Sequence, residues 1–262
     1  MQPAPIVPPA HARHAWLLVR QPWWTLALLL LAAAGWSFLA WIALDMESAA
    51  AQWMMPASSD WSVGVALAVW GMWAVMMAAM MLPSAWPMVL TFVALGRRSG
   101  KHSHAVAFVA AYLFVWSAFS LLATALQWGA QVLGWTNPMA ASRSAVLTGA
   151  LLLAAGAYQF TRLKDLCLQT CRSPVGFLFT EWRSGARGAF VMGARHGLLC
   201  VGCCWALMLL LFVGGIMNLP WIAALAAAVA LEKLAPRARL LARMMGLLLL
   251  AAGATKLLAL PM

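Results

Sequence analysis

The chain has 262 residues, 65% hydrophobic and 9% charged, with a mean hydropathy of +0.87. Soluble domains run near ~45–50% apolar and ~25% charged, so this composition excludes a water-soluble domain, a disulfide-stapled secreted domain and a disordered chain, and marks a polytopic membrane protein. Seventeen Lys and Arg against six Asp and Glu give a formal charge of +11, which in such a chain reports loop topology and contact with anionic lipid, with no nucleic acid as partner.

A hydrocarbon core of about 30 Å takes roughly 20 apolar residues per helix, and seven runs meet that length. Residues 1–22 are predicted to be a flexible cytoplasmic arm. The first span, 23–44, has a longer apolar stretch than a signal peptide and is read as an uncleaved anchor. The loop after it holds Asp45, Glu47 and Asp60 but no Lys or Arg. A second span, 61–82, is followed by apolar sequence past Pro83 and Pro87 to Leu95, which predicts a proline kink or an interfacial tail. Arg97, Arg98 and Lys101 precede the third span, 104–127, and Arg143 alone precedes the fourth, 144–160. A basic loop with Arg162, Lys164, Arg172, Arg183 and Arg187 leads to the fifth span, 189–213, with Arg195 just inside it. Gly214 and Gly215 mark a connection without basic residues to the sixth span, 217–234. Lys233, Arg237, Arg239 and Arg243 then gather near the start of the seventh, 240–260, which ends with Lys256. Every Lys and Arg except Arg143 and Lys256 falls on one side. The expectation is therefore an all-α transmembrane bundle, 23–262 forming one domain, with its N-terminus cytoplasmic and its C-terminus periplasmic.

Chemistry concentrates in the fifth span, in Met192, His196, Cys200, Cys203, Cys204 and Met208. Four residues overshoot a 3.6-residue turn by about 40°, so the ladder drifts slowly and His196, Cys200 and Cys203 share an arc of about 60°. An imidazole in a span is costly unless it faces the bundle interior and finds a partner. Cys167 and Cys171 lie in the basic loop; were the fourth helix to extend there, both sulfurs would share one face, beside Lys164 and Arg172, which favour thiolate. Met72, Met76, Met77, Met80 and Met81 build two thioether rows on the second span. Thiols and thioethers are soft ligands that suit Cu(I), and a methionine stripe is also ordinary packing. Glu232 and Lys233 close the sixth span, where headgroup-level snorkelling would make them cheap. Asn218 opens that span as a helix cap or a cross-helix partner, and Gly193 and Gly197 form a small-residue patch for another helix.

The run Met76 to Pro83, the stretch Lys164 to Pro174, and the Gly193 to Met208 segment with its Gly-Cys-Cys-Trp element resemble the bacterial family of predicted metal-binding integral membrane proteins, a family of unknown function. Met217, Asn218, Glu232 and Lys233 fit the same pattern. The resemblance spans about 61–233 and implies metal binding in a membrane protein, naming neither the metal nor its ligands.

The leading expectation is a bacterial inner-membrane protein that binds a soft transition metal, Cu(I) ahead of Zn(II). Its ligands would come from His196, Cys200, Cys203, Cys204 and Met208, with Met76 and Met80 as a softer path and Cys167 and Cys171 as a cytoplasmic acquisition or release point. Transport, sensing and delivery to a metallochaperone or metalloenzyme client all fit such a site. No catalytic residue is assigned, and no ATPase motif accompanies the spans. The alternatives are a membrane thiol–disulfide oxidoreductase using Cys167 with Cys171 and Cys200 with Cys203, and a non-catalytic assembly subunit whose thiols do nothing.

Overall fold

The computed structural model describes residues 21–96 and 103–259. The expected arm falls outside them except for its last two residues, as do Arg97, Arg98 and Lys101. The described residues form eleven helices and no strand beyond an isolated bridge between Thr136 and Ser142. They are α1 (Pro22–Leu44), α2 (Ala49–Met54), α3 (Val63–Gly96), α4 (Ser103–Val132), α5 (Ala145–Tyr158), α6 (Arg162–Cys171), α7 (Pro174–Glu181), α8 (Gly185–Leu209), α9 (Leu211–Gly214), α10 (Leu219–Leu234) and α11 (Ala238–Leu258).

Five helices are long and apolar enough to cross a membrane: α1, α3, α4, α8 continued through α9, and α11. A sixth is added if α5 and α6, bent by 66° to each other, count as one span. The sixth predicted run is the 16-residue α10, started by Asn218, whose side chain accepts from Trp221 N at 3.1 Å. Asn218 is thus a cap.

Two expectations are corrected. The tail predicted after Pro83 is core: α3 runs as one 34-residue helix through both prolines, and Met88, Val89, Leu90, Phe92 and Val93 are buried. Hydroxyls supply extra bonds to its backbone, Ser84 Oγ and Tyr112 Oη donating to Met81 O at 2.9 and 3.3 Å and Thr91 Oγ1 to Pro87 O at 2.7 Å. The basic loop of 162–187 is largely helical. Thr161 caps α6 through Lys164 N at 3.3 Å, Asp165 occupies its first turn, and Pro174 starts α7 where its missing N–H costs nothing.

Packing centres on α8, which lies along α4 and is crossed by α6; α3 packs on α4 and α1, and α10 fits between α3, α6 and α8. A Cβ at Gly193 would collide with the carbonyl of Phe108, and one at Gly197 would stand 2.9 Å from Val115 Cβ, so these glycines admit α4. On the other flank α5 and α11 meet through Gly149 against Gly253 and Gly156 against Gly246.

The burial pattern is inverted relative to a soluble bundle. Leu30, Phe114, Leu121, Leu198, Leu247 and Leu248 are exposed on the outer faces, whereas Lys164, His196, Glu232 and Lys233 are buried. Exposed apolar surface on this scale marks contact with something other than water.

Candidate metal centre

Met192, His196, Cys200, Cys203, Cys204 and Met208 are all buried on α8. The i+4 ladder therefore faces the interior, and side chains from α3, α4, α6, α7 and α10 converge on it. From α6 come Cys167 and Cys171, both buried on the face turned to α8. Cys167 Sγ lies 2.8 Å from where a Cβ on Gly202 would sit, and Cys171 is buried one turn further along the same face of α6. The two cysteine groups are thus one cluster. Where a loop was expected, α6 folds back against α8 and carries Cys167 and Cys171 with it.

Within the cluster Cys203 and Cys204 donate their thiols to Cys200 O at 3.1 and 2.9 Å, and all five cysteines are free. Cys204 Sγ lies 4.0 Å from Met81 Sδ on α3. The methionine rows therefore meet the thiols, through Met81 rather than through the predicted Met76 or Met80. Met76, Met80 and Met208 are buried core residues.

Cys200 has the richest surroundings. Lys233 Nζ, from the last turn of α10, donates to its sulfur at 2.9 Å and to Ser84 Oγ at 3.0 Å, and lies 4.0 Å from Met81 Sδ. Tyr112 Oη is 3.1 Å from the same sulfur. Glu232, next to Lys233 in sequence, turns the other way and accepts from Lys164 Nζ at 2.7 Å and Gln159 Nε2 at 3.1 Å, with both charged side chains buried. Arg172 donates to the carbonyls of Lys233 and Ala235, tying the end of α6 to the end of α10. Glu232 and Lys233 do not snorkel outward: both side chains are buried in the protein, and their charges are met by protein groups.

His196 is 3% exposed, and neither ring nitrogen has a hydrogen-bond partner. Its ring stacks on Tyr112 at 5.5 Å and Phe108 at 6.1 Å, with Phe177 of α7 tilted at 5.8 Å. Buried polar atoms are nearly always paired, so an orphaned imidazole one turn from Cys200 fits a ligand position.

Sequence reading missed Tyr112 and Ser84, and assigned Lys164 to the thiols where the structure pairs it with Glu232. A signal existed for the first, since the chain has two tyrosines against 16 Trp, and both reach α8; the second, Tyr158, donates to Gly202 O at 2.5 Å. An ionisable or hydroxylated side chain in an apolar run earns suspicion by default.

The donor set is soft: several thiols, a thioether and a neutral-capable imidazole, with the nearest carboxylate drawn away by Lys164. That chemistry suits Cu(I) and not Mg or Ca. Among the described residues no three His, Cys, Asp or Glu side chains are closed to the dimensions of a metal cage. At Cys200 the place beside the sulfur is held by the Lys233 ammonium.

No curated protein and no solved structure matches the chain. A family model does, over residues 70–256, which takes in every helix that contributes to the cluster. Its description is copper chaperone, the metal class to which the thiol and thioether donors point. The chain belongs to this family, the PpoB2 copper chaperones.

Proposed function

We propose that the chain is a multi-pass protein of the bacterial inner membrane that takes up Cu(I) as cargo on the α8 thiol cluster and delivers it to a client metalloenzyme or a second metallochaperone. Cys200 and Cys204 are the central ligands, with Cys203, Cys171, Met81 and His196 around them and Cys167 behind Gly202. The observation that carries this reading is the convergence of buried thiols and a thioether from α3, α6 and α8 in a chain of the copper chaperone family. The topology is seven spans with the N-terminus inside, supported by the apolar outer faces and by the one-sided distribution of Lys and Arg.

The depth of the cluster favours loading from the cytoplasm. Arg195 is exposed and paired with Glu181, and Cys200 follows five residues later, about 7.5 Å of helix rise. The cluster then lies close to the inner face, beneath α6 and α7. The oxidoreductase reading loses ground on the same geometry, because a dithiol that exchanges with partners needs an exposed, reactive sulfur and all five are buried.

The test is elemental analysis of detergent-purified protein expressed with copper and zinc both available, beside the variant Cys200→Ser/Cys203→Ser/Cys204→Ser. Near-stoichiometric copper in the parent and none in the variant supports the reading. No metal in the parent, with reversible thiol loss on oxidation, replaces it with the redox protein.

A further inference from the structure

Lys233 stands where no sequence argument placed it, with its ammonium on the sulfur of the central cysteine. It is 8% exposed, and the groups around Nζ are Cys200 Sγ at 2.9 Å, Ser84 Oγ at 3.0 Å and Met81 Sδ at 4.0 Å, while Tyr112 Oη shares the Cys200 sulfur. Its neighbouring carboxylate is spent on Lys164 and Gln159. Apart from Ser84, the atoms facing the ammonium are the soft donors that the copper reading assigns to the ion. Nζ occupies a position a monovalent metal would take between Cys200 and Met81, and the thiols of Cys203 and Cys204 turn to the Cys200 carbonyl instead of to a common centre.

We propose that the Lys233 ammonium is a built-in competitor for Cu(I), filling the ion's place on Cys200 in the metal-free protein and re-entering it to drive release. The proposal rests on the copper reading of the cluster. On loading, Cu(I) bonds to the Cys200 sulfur, present as the thiolate that accepts from the ammonium, and to a second thiol sulfur, whose proton passes to the bulk. The Lys233 to Cys200 hydrogen bond breaks, and the ammonium keeps Ser84 Oγ as its partner. Copper stays monovalent and no electron moves. On release the steps reverse: a soft acceptor takes the ion, the second thiol regains a proton, and the ammonium returns to the sulfur. A competitor of this kind lowers retention so that cargo can leave a site that would otherwise hold it too tightly for delivery.

The experiment compares full-length wild type with Lys233→Gln in detergent, under reducing conditions, with Cu(I) as the probe and bicinchoninate as the competing chelator. A charge-assisted hydrogen bond is removed, so Cu(I) should bind at least about ten-fold more tightly in the variant and transfer to chelator should slow by a similar factor. Loss of a merely structural residue would loosen binding instead, so unchanged or weaker affinity in the variant overturns the proposal. A second measurement leaves Lys233 intact. The chain has four lysines, and with Lys101→Arg and Lys256→Arg two remain for ε-13C labelling, Lys164 and Lys233. Copper should move one ε resonance, the one absent when Lys233→Gln is added, and leave that of the Glu232-paired Lys164 in place. If neither moves on loading, the ammonium does not yield to the ion and the proposal fails. Copper-free wild type would overturn the copper reading and this proposal together, whereas copper-loaded wild type with either negative result overturns this proposal alone.

Discussion

Two ring nitrogens sealed away without partners are expensive, and His196 has two. An unsatisfied buried polar group costs ~1–3 kcal/mol, and the flat faces of Tyr112 and Phe108 return only part of it. His196→Phe keeps the ring volume and the stacking while removing both orphans. It is expected to raise thermal stability of the metal-free protein by about 1 kcal/mol and to weaken Cu(I) binding, read by melting and by chelator competition. A stabilised variant with unaltered affinity would make His196 a packing residue. Lys164 and Glu232 make the opposite case. Lys164→Met strands a buried carboxylate and should destabilise by about 3–5 kcal/mol, whereas Lys164→Met with Glu232→Gln should recover most of the loss. Thermal unfolding in detergent distinguishes the two. At this scale helical spacing alone turned His196, Cys200, Cys203 and Cys204 toward the interior, where the structure buries them. It misjudged Lys233 because a snorkelling side chain needs open space at the helix end, and here protein groups take the ammonium, Cys200 and Ser84 accepting from it.

Among the elements, the contact of α8 with α4 sets the site, because α4 delivers Tyr112 to Cys200 and Phe108 to His196. Gly193 makes that contact possible at the level of the Phe108 carbonyl, which cannot retreat without unwinding a turn of α4. Gly193→Ala should therefore destabilise by about 1–3 kcal/mol and lower copper occupancy, while Gly197→Ala, which meets only the Val115 side chain, should cost less. Equal effects of the two would contradict this packing account. The small-residue patch was legible in the sequence, although its partner helix was not, because one helix does not say which neighbour fills its groove. The Gly149, Gly156, Gly246 and Gly253 seam between α5 and α11 went unread for a related reason. Its residues are seven apart on two helices far separated in the chain, so only packing reveals that they face each other. The helicity of α6 was half legible: Cys167 and Cys171 at i+4 suggested it, but charged residues argued for a loop. The resolution lies in Thr161 capping the turn and Lys164 finding Glu232.

For the whole molecule, composition announced a helical bundle with an apolar exterior, and the family match adds that it handles copper. Span positions followed from hydropathy within a few residues for α1, α4, α5, α8 and α11. The count depends on α5 and α10. Their 14 and 16 residues rise only about 21 and 24 Å against a hydrocarbon core of about 30 Å, so seven spans would require α5 to continue into α6 and α10 to take in the segment at Ile216 to Asn218. Seven spans predict that a C-terminal tag is reached by a membrane-impermeant reagent from the periplasmic side, while a tag inserted after Ser173 is reached only from the cytoplasm; both tags on one side would remove α10 from the crossings. The central claim, Cu(I) held by sulfur on α8, is tested most directly by X-ray absorption at the copper edge on the loaded, full-length protein. The account predicts monovalent copper in a first shell dominated by sulfur that collapses in Cys200→Ser. Copper surrounded by nitrogen and oxygen, unchanged by that substitution, would contradict it.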